Sequence, residues 1–81
     1  MEREDARTLV ASLLRHLLGD IDLRTIDEDE LLQDVVELDS VDFLELMASI
    51  HAATGVDVPE RDYPRLATLG GVVDYVALAA P

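Results

Sequence analysis

Apolar residues in the N-terminal part of the chain recur at intervals of three and four, the spacing of one helix face. This stripe comprises Ala6, Leu9, Val10, Leu13, Leu14, Leu17 and Leu18. Gly19 follows directly, and glycine commonly ends a helix at that position. The acids of the first turn suit the positive end of a helix dipole. The pattern therefore predicts a first amphipathic helix that ends at Gly19.

The helical period is lost between Gly19 and Asp39, a densely acidic segment in which Arg24 is the only basic residue. Loops of this length are uncommon in compact domains unless they have a function or are tied down. Apolar residues are spaced as anchors to a core at Ile21, Ile26, Leu31, Leu32, Val35, Val36 and Leu38. We expect an ordered loop, with a short helical turn near Asp27–Leu32.

Two further helices are predicted in the second half of the chain. The middle helix begins at Asp39-Ser40, two favoured N-cap residue types, and ends at Thr54-Gly55. A last helix, capped by Thr68, runs to about Ala80 and turns Leu69, Val72, Val73 and Val76 inward. Between them, Val56–Pro59 should be extended, and Glu60–Ala67 should form one or two turns at most because Pro64 interrupts it.

No strand alternation or internal repeat is present. We therefore predict an all-α fold in a single domain over residues 1–81. It is a small bundle of three main helices plus one short helix, with a long loop between the first and middle helices.

The middle helix carries two apolar stripes when its residues are placed about 100° apart. Phe43, Leu46, Met47 and Ile50 form a core-facing stripe, and Val41, Leu44 and Ala48 form a second one. Asp42 and Glu45 lie in the polar arc between them. Two interpretations stay open: the second stripe packs under the long loop, or it is an exposed strip with a charged border that docks onto a partner.

The composition narrows the classes of function. The chain has 81 residues and a net charge of −12. This charge argues against nucleic acid and anionic membranes as partners and favours a basic protein partner. So short a chain has little volume for an enclosed active site. It has no cysteine and no apolar run of about 18 residues, so we expect a soluble cytoplasmic domain without a membrane span.

Two other kinds of site are excluded by their spacing. A calcium-binding hand that opened at Asp20 would need glycine where Thr25 stands and glutamate where Leu31 stands. A serine hydrolase pairing Ser40 with His51 fails because the two would lie about 16 Å apart along one helix. We therefore predict no catalytic residue and no metal site.

The start of the middle helix reads Glu37-Leu38-Asp39-Ser40-Val41-Asp42-Phe43-Leu44-Glu45-Leu46. It resembles the attachment-site motif of acyl carrier proteins, which usually has an Asp-Ser-Leu centre followed by acidic and apolar residues. The resemblance extends to the leucine-rich first helix, the acidic loop and the segments Gly55–Pro59, Leu66–Leu69 and Val73–Val76. Departures are Glu37, where the family commonly has glycine, and His51, Ala52, Ala53, Arg61 and Arg65, where acids are common.

The resemblance implies a stand-alone bacterial carrier rather than an enzyme. A phosphopantetheinyl transferase would attach 4′-phosphopantetheine from coenzyme A to the Ser40 hydroxyl. Asp39 matches the aspartate that helps to place the metal ion in the transferase complex. Fatty-acid or polyketide-type acyl groups would then travel as thioesters on the arm. A serine at a helix start is exposed, and the amide N–H groups there favour a phosphodiester.

Partners are expected to contact the first half of the middle helix, through Val41, Asp42, Leu44, Glu45 and Ala48. They would be acyl-transferring or synthase enzymes with basic docking surfaces, acting on a monomer. The resemblance also implies an acyl cavity between the helices, for which the candidates are Phe43, Leu46, Met47, Ile50 and Val72. Two alternatives remain: an aminoacyl or peptidyl carrier of the same fold, and an unmodified acidic helical adaptor.

Overall fold

The computed structural model describes residues 1–81. Its α-helices are α1 (Arg3–Leu18), α2 (Leu32–Val35), α3 (Ser40–Thr54) and α4 (Leu69–Ala79). Two 3₁₀ segments lie at Leu23–Thr25 and Glu60–Leu66. The predicted all-α fold of three main helices, with a long loop between the first and the middle one, is confirmed.

The core lies where α1 packs against α3 and α4. Sixteen buried apolar residues form a single cluster. Helix α1 contributes Ala6, Val10 and Leu14 to this cluster, and all three belong to the predicted stripe. The four residues of α4 expected to face inward are also buried. Burial of these stripes is the main stabilising contribution to so small a bundle.

Arg3 connects three separate parts of the chain at the N-terminal end of α1. Its Nη2 donates to Glu28 in the long loop at 2.8 Å, and its Nε donates to Asp74 on α4 at 2.6 Å. Arg7, one turn later, donates to the carbonyl oxygen of Leu23 at 3.1 Å. The acidic loop is therefore held to the bundle by arginines of α1, in addition to its own Arg24.

The helical turn expected near Asp27–Leu32 is in the wrong place. Asp27 instead closes a tight turn, because its carboxylate accepts the Asp29 N–H at 2.9 Å and its carbonyl accepts the Glu30 N–H at 3.2 Å. The helical turn is α2, which begins at Leu32. A hydrogen bond to a distant segment positions the start of α2, because the Leu32 N–H donates to the Ala67 carbonyl at 2.9 Å.

The loop anchors were predicted correctly with one exception. Leu32 and Leu38 are buried, and Ile21, Ile26, Val35 and Val36 pack partly buried against the core. The exception is Leu31, which is 43% exposed and whose backbone forms an isolated antiparallel bridge with Thr68. None of the helices combines the length and apolar character needed to cross a membrane.

Candidate functional site: the start of α3 and its cleft

Asp39 is the N-cap of α3, and Ser40 is its first helical residue. The Asp39 carboxylate accepts the Asp42 N–H at 2.8 Å, and the Asp39 carbonyl accepts the Phe43 N–H at 2.9 Å. Ser40 is exposed, and its hydroxyl takes part in no hydrogen bond. Because the aspartate does the capping, the serine hydroxyl is available for chemistry.

A largely apolar cleft of about 350 Å³ opens beside Ser40. Its walls come from the end of the loop, the start of α3 and the 3₁₀ segment Glu60–Leu66. They comprise Leu31, Leu32, Gln33, Leu38, Asp39, Ser40, Phe43, Tyr63, Pro64, Leu66 and Ala67. The rings of Phe43 and Tyr63 meet edge to face, with centroids 5.0 Å apart and an interplanar angle of 72°. This contact holds the 3₁₀ segment against α3.

The second apolar stripe of α3 faces solvent. Val41 is 63% exposed and Leu44 55% exposed, and Ala48 is exposed as well. Glu45 is exposed beside them, and Asp42 is half-buried. The interpretation that this stripe packs under the long loop is therefore wrong. All five residues expected to contact a partner are therefore at least partly exposed to solvent, on one side of Ser40.

Only one of the five residues expected to line an acyl cavity lies at the cleft, and the other four lie in the core. Phe43 lies in the wall of the cleft. Leu46, Met47, Ile50 and Val72 are buried in the core cluster and line no cleft in this conformation. The open space lies nearer to Ser40 than expected, because the 3₁₀ segment and the loop end form its far wall.

Leu31 is a site residue that sequence reasoning did not find. It lines the cleft and is one of the few large apolar side chains exposed anywhere in the chain. With Val41 and Leu44 it places exposed apolar surface on two sides of Ser40. Its spacing from Leu32 gave no signal, since adjacent leucines in a loop do not reveal which one points outward.

Glu37 adopts a left-handed backbone conformation, with a φ of 55°, three residues before Ser40. It is the only non-glycine residue of the chain with a positive φ. Glycine adopts this conformation without steric cost, whereas other L-residues pay roughly 1–2 kcal/mol for it. The departure from the family's common glycine therefore changes the side chain but keeps the backbone conformation that glycine favours.

Tyr75 on α4 fixes the outer side of the 3₁₀ segment. Its hydroxyl donates to the Asp62 carboxylate at 2.7 Å, and the Arg65 guanidinium lies 5.1 Å from its ring centroid. The hydrogen bond to Asp62 raises the pKa of the Tyr75 hydroxyl, because ionised tyrosine would lose its donor beside a carboxylate. The segment is thus attached on both sides, to α3 through Tyr63 and to α4 through Asp62 and Arg65.

No group of three or more histidine, cysteine or acidic side chains is placed to hold a metal ion. The His51 ring is at the far end of α3, where its Nδ1 lies 3.3 Å from the Val56 carbonyl oxygen. The structure therefore does not bring His51 to Ser40. A larger groove between α1 and the loop is lined mostly by charged residues and includes neither Ser40 nor Asp39.

These features fit a covalently held 4′-phosphopantetheine arm. An exposed, unbonded hydroxyl is present where the arm would be attached. The first N–H groups of α3 lie at the positive end of the helix dipole, which favours a phosphodiester. The neighbouring cleft offers an apolar surface on which the arm or its cargo can rest.

Comparison with known proteins gives a consistent result. Residues 7–76 match the family model described as "Phosphopantetheine attachment site". The acyl carrier protein of Lactobacillus johnsonii is 29% identical over 76 residues, covering 94% of each chain. That of Thermotoga maritima is 30% identical over 74 residues, covering 91% of this chain and 90% of its own. That of Rubrobacter xylanophilus is 26% identical over 76 residues.

Proposed function

Because the chain belongs to the phosphopantetheine-attachment family of acyl carrier proteins, we propose that it carries acyl intermediates on an arm attached to Ser40. The family's covalent prosthetic group is 4′-phosphopantetheine. The proposed cargo is of the fatty-acid or polyketide type. The carrier catalyses nothing itself and acts as a cytoplasmic monomer that presents its cargo to other enzymes.

The observation that carries this proposal is the unbonded Ser40 hydroxyl at the start of α3, in the frame of the family motif. In the attachment step, Ser40 Oγ forms a bond to the phosphorus of the phosphopantetheine portion of coenzyme A. The pyrophosphate bond breaks, adenosine 3′,5′-bisphosphate leaves, and the hydroxyl proton is released. A separate transferase catalyses this step, and Asp39 helps to place its metal ion.

The prosthetic group supplies a terminal thiol, which forms the thioester with the cargo. The chain itself has no cysteine and therefore no competing thiol. Its part is to hold the attachment point rigid and to shelter the apolar portion of the cargo. An apolar cleft next to Ser40 favours acyl cargo over aminoacyl cargo, whose ammonium group would be desolvated there without a partner.

We place the first part of a bound acyl chain in this cleft, against Leu31, Phe43 and Tyr63. The deeper candidates Leu46, Met47, Ile50 and Val72 would be reached only if the core opened. Replacing Leu31 by serine should therefore weaken sheltering of a thioester. The measurement is faster cleavage of a bound octanoyl thioester by hydroxylamine, which forms octanoyl hydroxamate and releases the free thiol of the arm. Leu78→Ser, which makes the same substitution at an exposed position outside the cleft, is the matched control.

Partners are proposed to cover the face around Ser40. Val41, Leu44 and Ala48 supply its apolar centre, with Asp42 and Glu45 as its acidic border. An apolar centre with a charged border is common in protein interfaces. The net charge of −12 favours partner enzymes with basic docking surfaces.

The direct test is the intact mass after incubation with coenzyme A, magnesium and a broad-specificity phosphopantetheinyl transferase. The wild type should gain one phosphopantetheinyl group, and Ser40→Ala should gain none. Ser12→Ala, which removes another exposed serine, should be modified like the wild type. Modification of Ser40→Ala would contradict the proposed site. An unchanged mass of the wild type with several transferases would support the unmodified adaptor instead.

A further inference from the structure

We infer that the phosphopantetheinyl transferase that loads this carrier presents an acidic residue to Arg61, beside the basic residues that meet the acids of α3. The inference rests on the proposed function, since it concerns the enzyme that acts at Ser40. It starts from the arginines of the chain and from what each of them contacts.

Most arginines are engaged within the molecule. Partners within the chain exist for Arg3, Arg7, Arg24 and Arg65. Arg15 and Arg61 are exposed and have neither an ion pair nor a hydrogen bond from their side chains. Two of the six arginines are therefore unpaired although the chain has eighteen acidic residues.

Arg61 belongs to the 3₁₀ segment that forms one wall of the cleft beside Ser40. A 3₁₀ helix has three residues per turn and rises about 2.0 Å per residue, so Arg61 stands one turn, about 6 Å, before Pro64 on the same side. Pro64 is in the wall of the cleft that also contains Ser40. The other sides of the segment are occupied, since Tyr63 packs on Phe43 and Asp62 binds Tyr75.

The face around Ser40 therefore carries charges of both signs. Asp42 and Glu45 lie on the α3 side of the cleft, and Arg61 lies on the 3₁₀ side. Glu60 does not cancel this cation, because consecutive residues of a 3₁₀ helix project about 120° apart and the two form no ion pair.

A uniformly basic docking surface would meet the acids of α3 favourably and would be repelled by Arg61. Like charges brought together across an interface disfavour the complex, whereas complementary patches fix its register. A carboxylate opposite Arg61 removes the repulsion and leaves one favoured orientation, with the transferase active site over Ser40. Arg61 would thus contribute to specificity as well as to affinity.

The test compares Arg61→Glu with Arg15→Glu, both measured as kcat/KM for loading by the carrier's cognate transferase. Each variant changes the net charge from −12 to −14, since one arginine is replaced by one glutamate. Arg15 is equally unpaired but lines the groove between α1 and the loop, away from the cleft. The pair therefore separates a local contact from the effect of total charge.

We expect Arg61→Glu to lower kcat/KM about tenfold, and Arg15→Glu to stay within about twofold of the wild type. The loss of kcat/KM in Arg61→Glu should shrink as added salt screens the interaction between position 61 and the carboxylate of the transferase. Arg61→Gln and Arg15→Gln make half the change in charge, and their kcat/KM values for loading should differ by about threefold. Circular dichroism melts check that all four variants fold.

Equal rates for the two glutamate variants, or faster loading of Arg61→Glu, would overturn the inference and leave the proposed function intact. If the wild type itself gains no mass, the proposed function fails, and the inference fails with it. If loading is slowed in Arg61→Glu but not in Arg15→Glu, and added salt restores it, the result supports both the inference and the proposed function.

Discussion

The carboxylate of Asp39 accepts the backbone N–H of Asp42 at 2.8 Å and so caps the helix that begins at Ser40. The residue that precedes the attachment point thus stabilises the helix start in the free carrier. In the transferase complex the same carboxylate is proposed to help place a metal ion. The two roles depend on different properties, a hydrogen-bond acceptor and a negative charge, and can be separated by substitution.

Asp39→Asn should keep the cap and lose the charge, because asparagine caps helices about as well as aspartate. We expect its free energy of unfolding to stay within about 0.5 kcal/mol of the wild type, while loading of Ser40 slows at least tenfold. Asp39→Ala should lose about 1 kcal/mol as well. Urea unfolding and loading kinetics measure the two effects. Wild-type loading of Asp39→Asn would show that the charge has no role.

The apolar and the acidic residues of the face around Ser40, which partners are proposed to cover, should affect different rate constants. Glu45→Arg should slow association with a cognate synthase about tenfold, with a smaller loss at high salt, because charges at an interface border act mainly on encounter. Leu44→Ala should speed dissociation and respond little to salt, because desolvated apolar contacts supply much of the binding free energy. Surface plasmon resonance at two salt concentrations separates these effects.

The matched control for Glu45→Arg is Asp20→Arg, which makes the same change of charge in the groove between α1 and the loop. It should slow association much less. If both reversals were equally harmful, steering would depend on net charge alone, and a local role of the face around Ser40 would be contradicted.

Glu37→Gly should stabilise the carrier by about 1 kcal/mol. The substitution removes the steric cost of the left-handed backbone at Glu37 and takes one carboxylate from an acidic surface. Glycine also increases the conformational entropy of the unfolded chain, which opposes this stabilisation but is the smaller effect. Glu30→Gly removes the same charge at a position without a positive φ and should give no stabilisation. Thermal and urea unfolding test the pair. Equal stabilisation of both variants would assign the effect to charge rather than to the backbone.

The contact between Tyr75 and Asp62 should stabilise the fold only below strongly alkaline pH. The pKa of Tyr75 is raised in the folded state, so the unfolded chain loses this proton first as the pH increases. The stabilisation is complete below the usual tyrosine pKa of 10.0 and is lost as the pH rises through the folded value.

The stability difference between wild type and Tyr75→Phe should accordingly be largest near neutral pH and shrink above pH 10. Urea unfolding at a series of pH values measures it. A difference that stays constant across this range would show that the hydroxyl contributes nothing through its proton.

Much of the fold could be predicted from the sequence, because local rules and burial agree along the helices. The stripe of α1 apart from Leu9, the cap residue Thr68 and the inward residues of α4 all lie as expected. The attachment serine could be found because its motif is local as well. These features depend on residues within a few positions of one another, which a sequence displays directly.

What could not be predicted depends on contacts between distant segments. Leu31 is exposed where its backbone pairs with that of Thr68, and no local pattern indicates that pairing. Gly71 is another case: a Cβ at this position would overlap the carbonyl oxygen of Arg65, so the glycine that weakens α4 locally is required by packing.

The 3₁₀ wall of the cleft is attached to its neighbours by side chains alone. Residues 60–66 form no backbone hydrogen bond to another helix. Their links are the Phe43–Tyr63, Asp62–Tyr75 and Arg65–Tyr75 contacts and the side chain of Leu66, which is fully buried in the core cluster. Opening this wall would therefore also withdraw Leu66 from the core that α1, α3 and α4 share. A cargo longer than the cleft could be sheltered only at the expense of core packing, so the stability of the fold itself would limit how much of the cargo is enclosed.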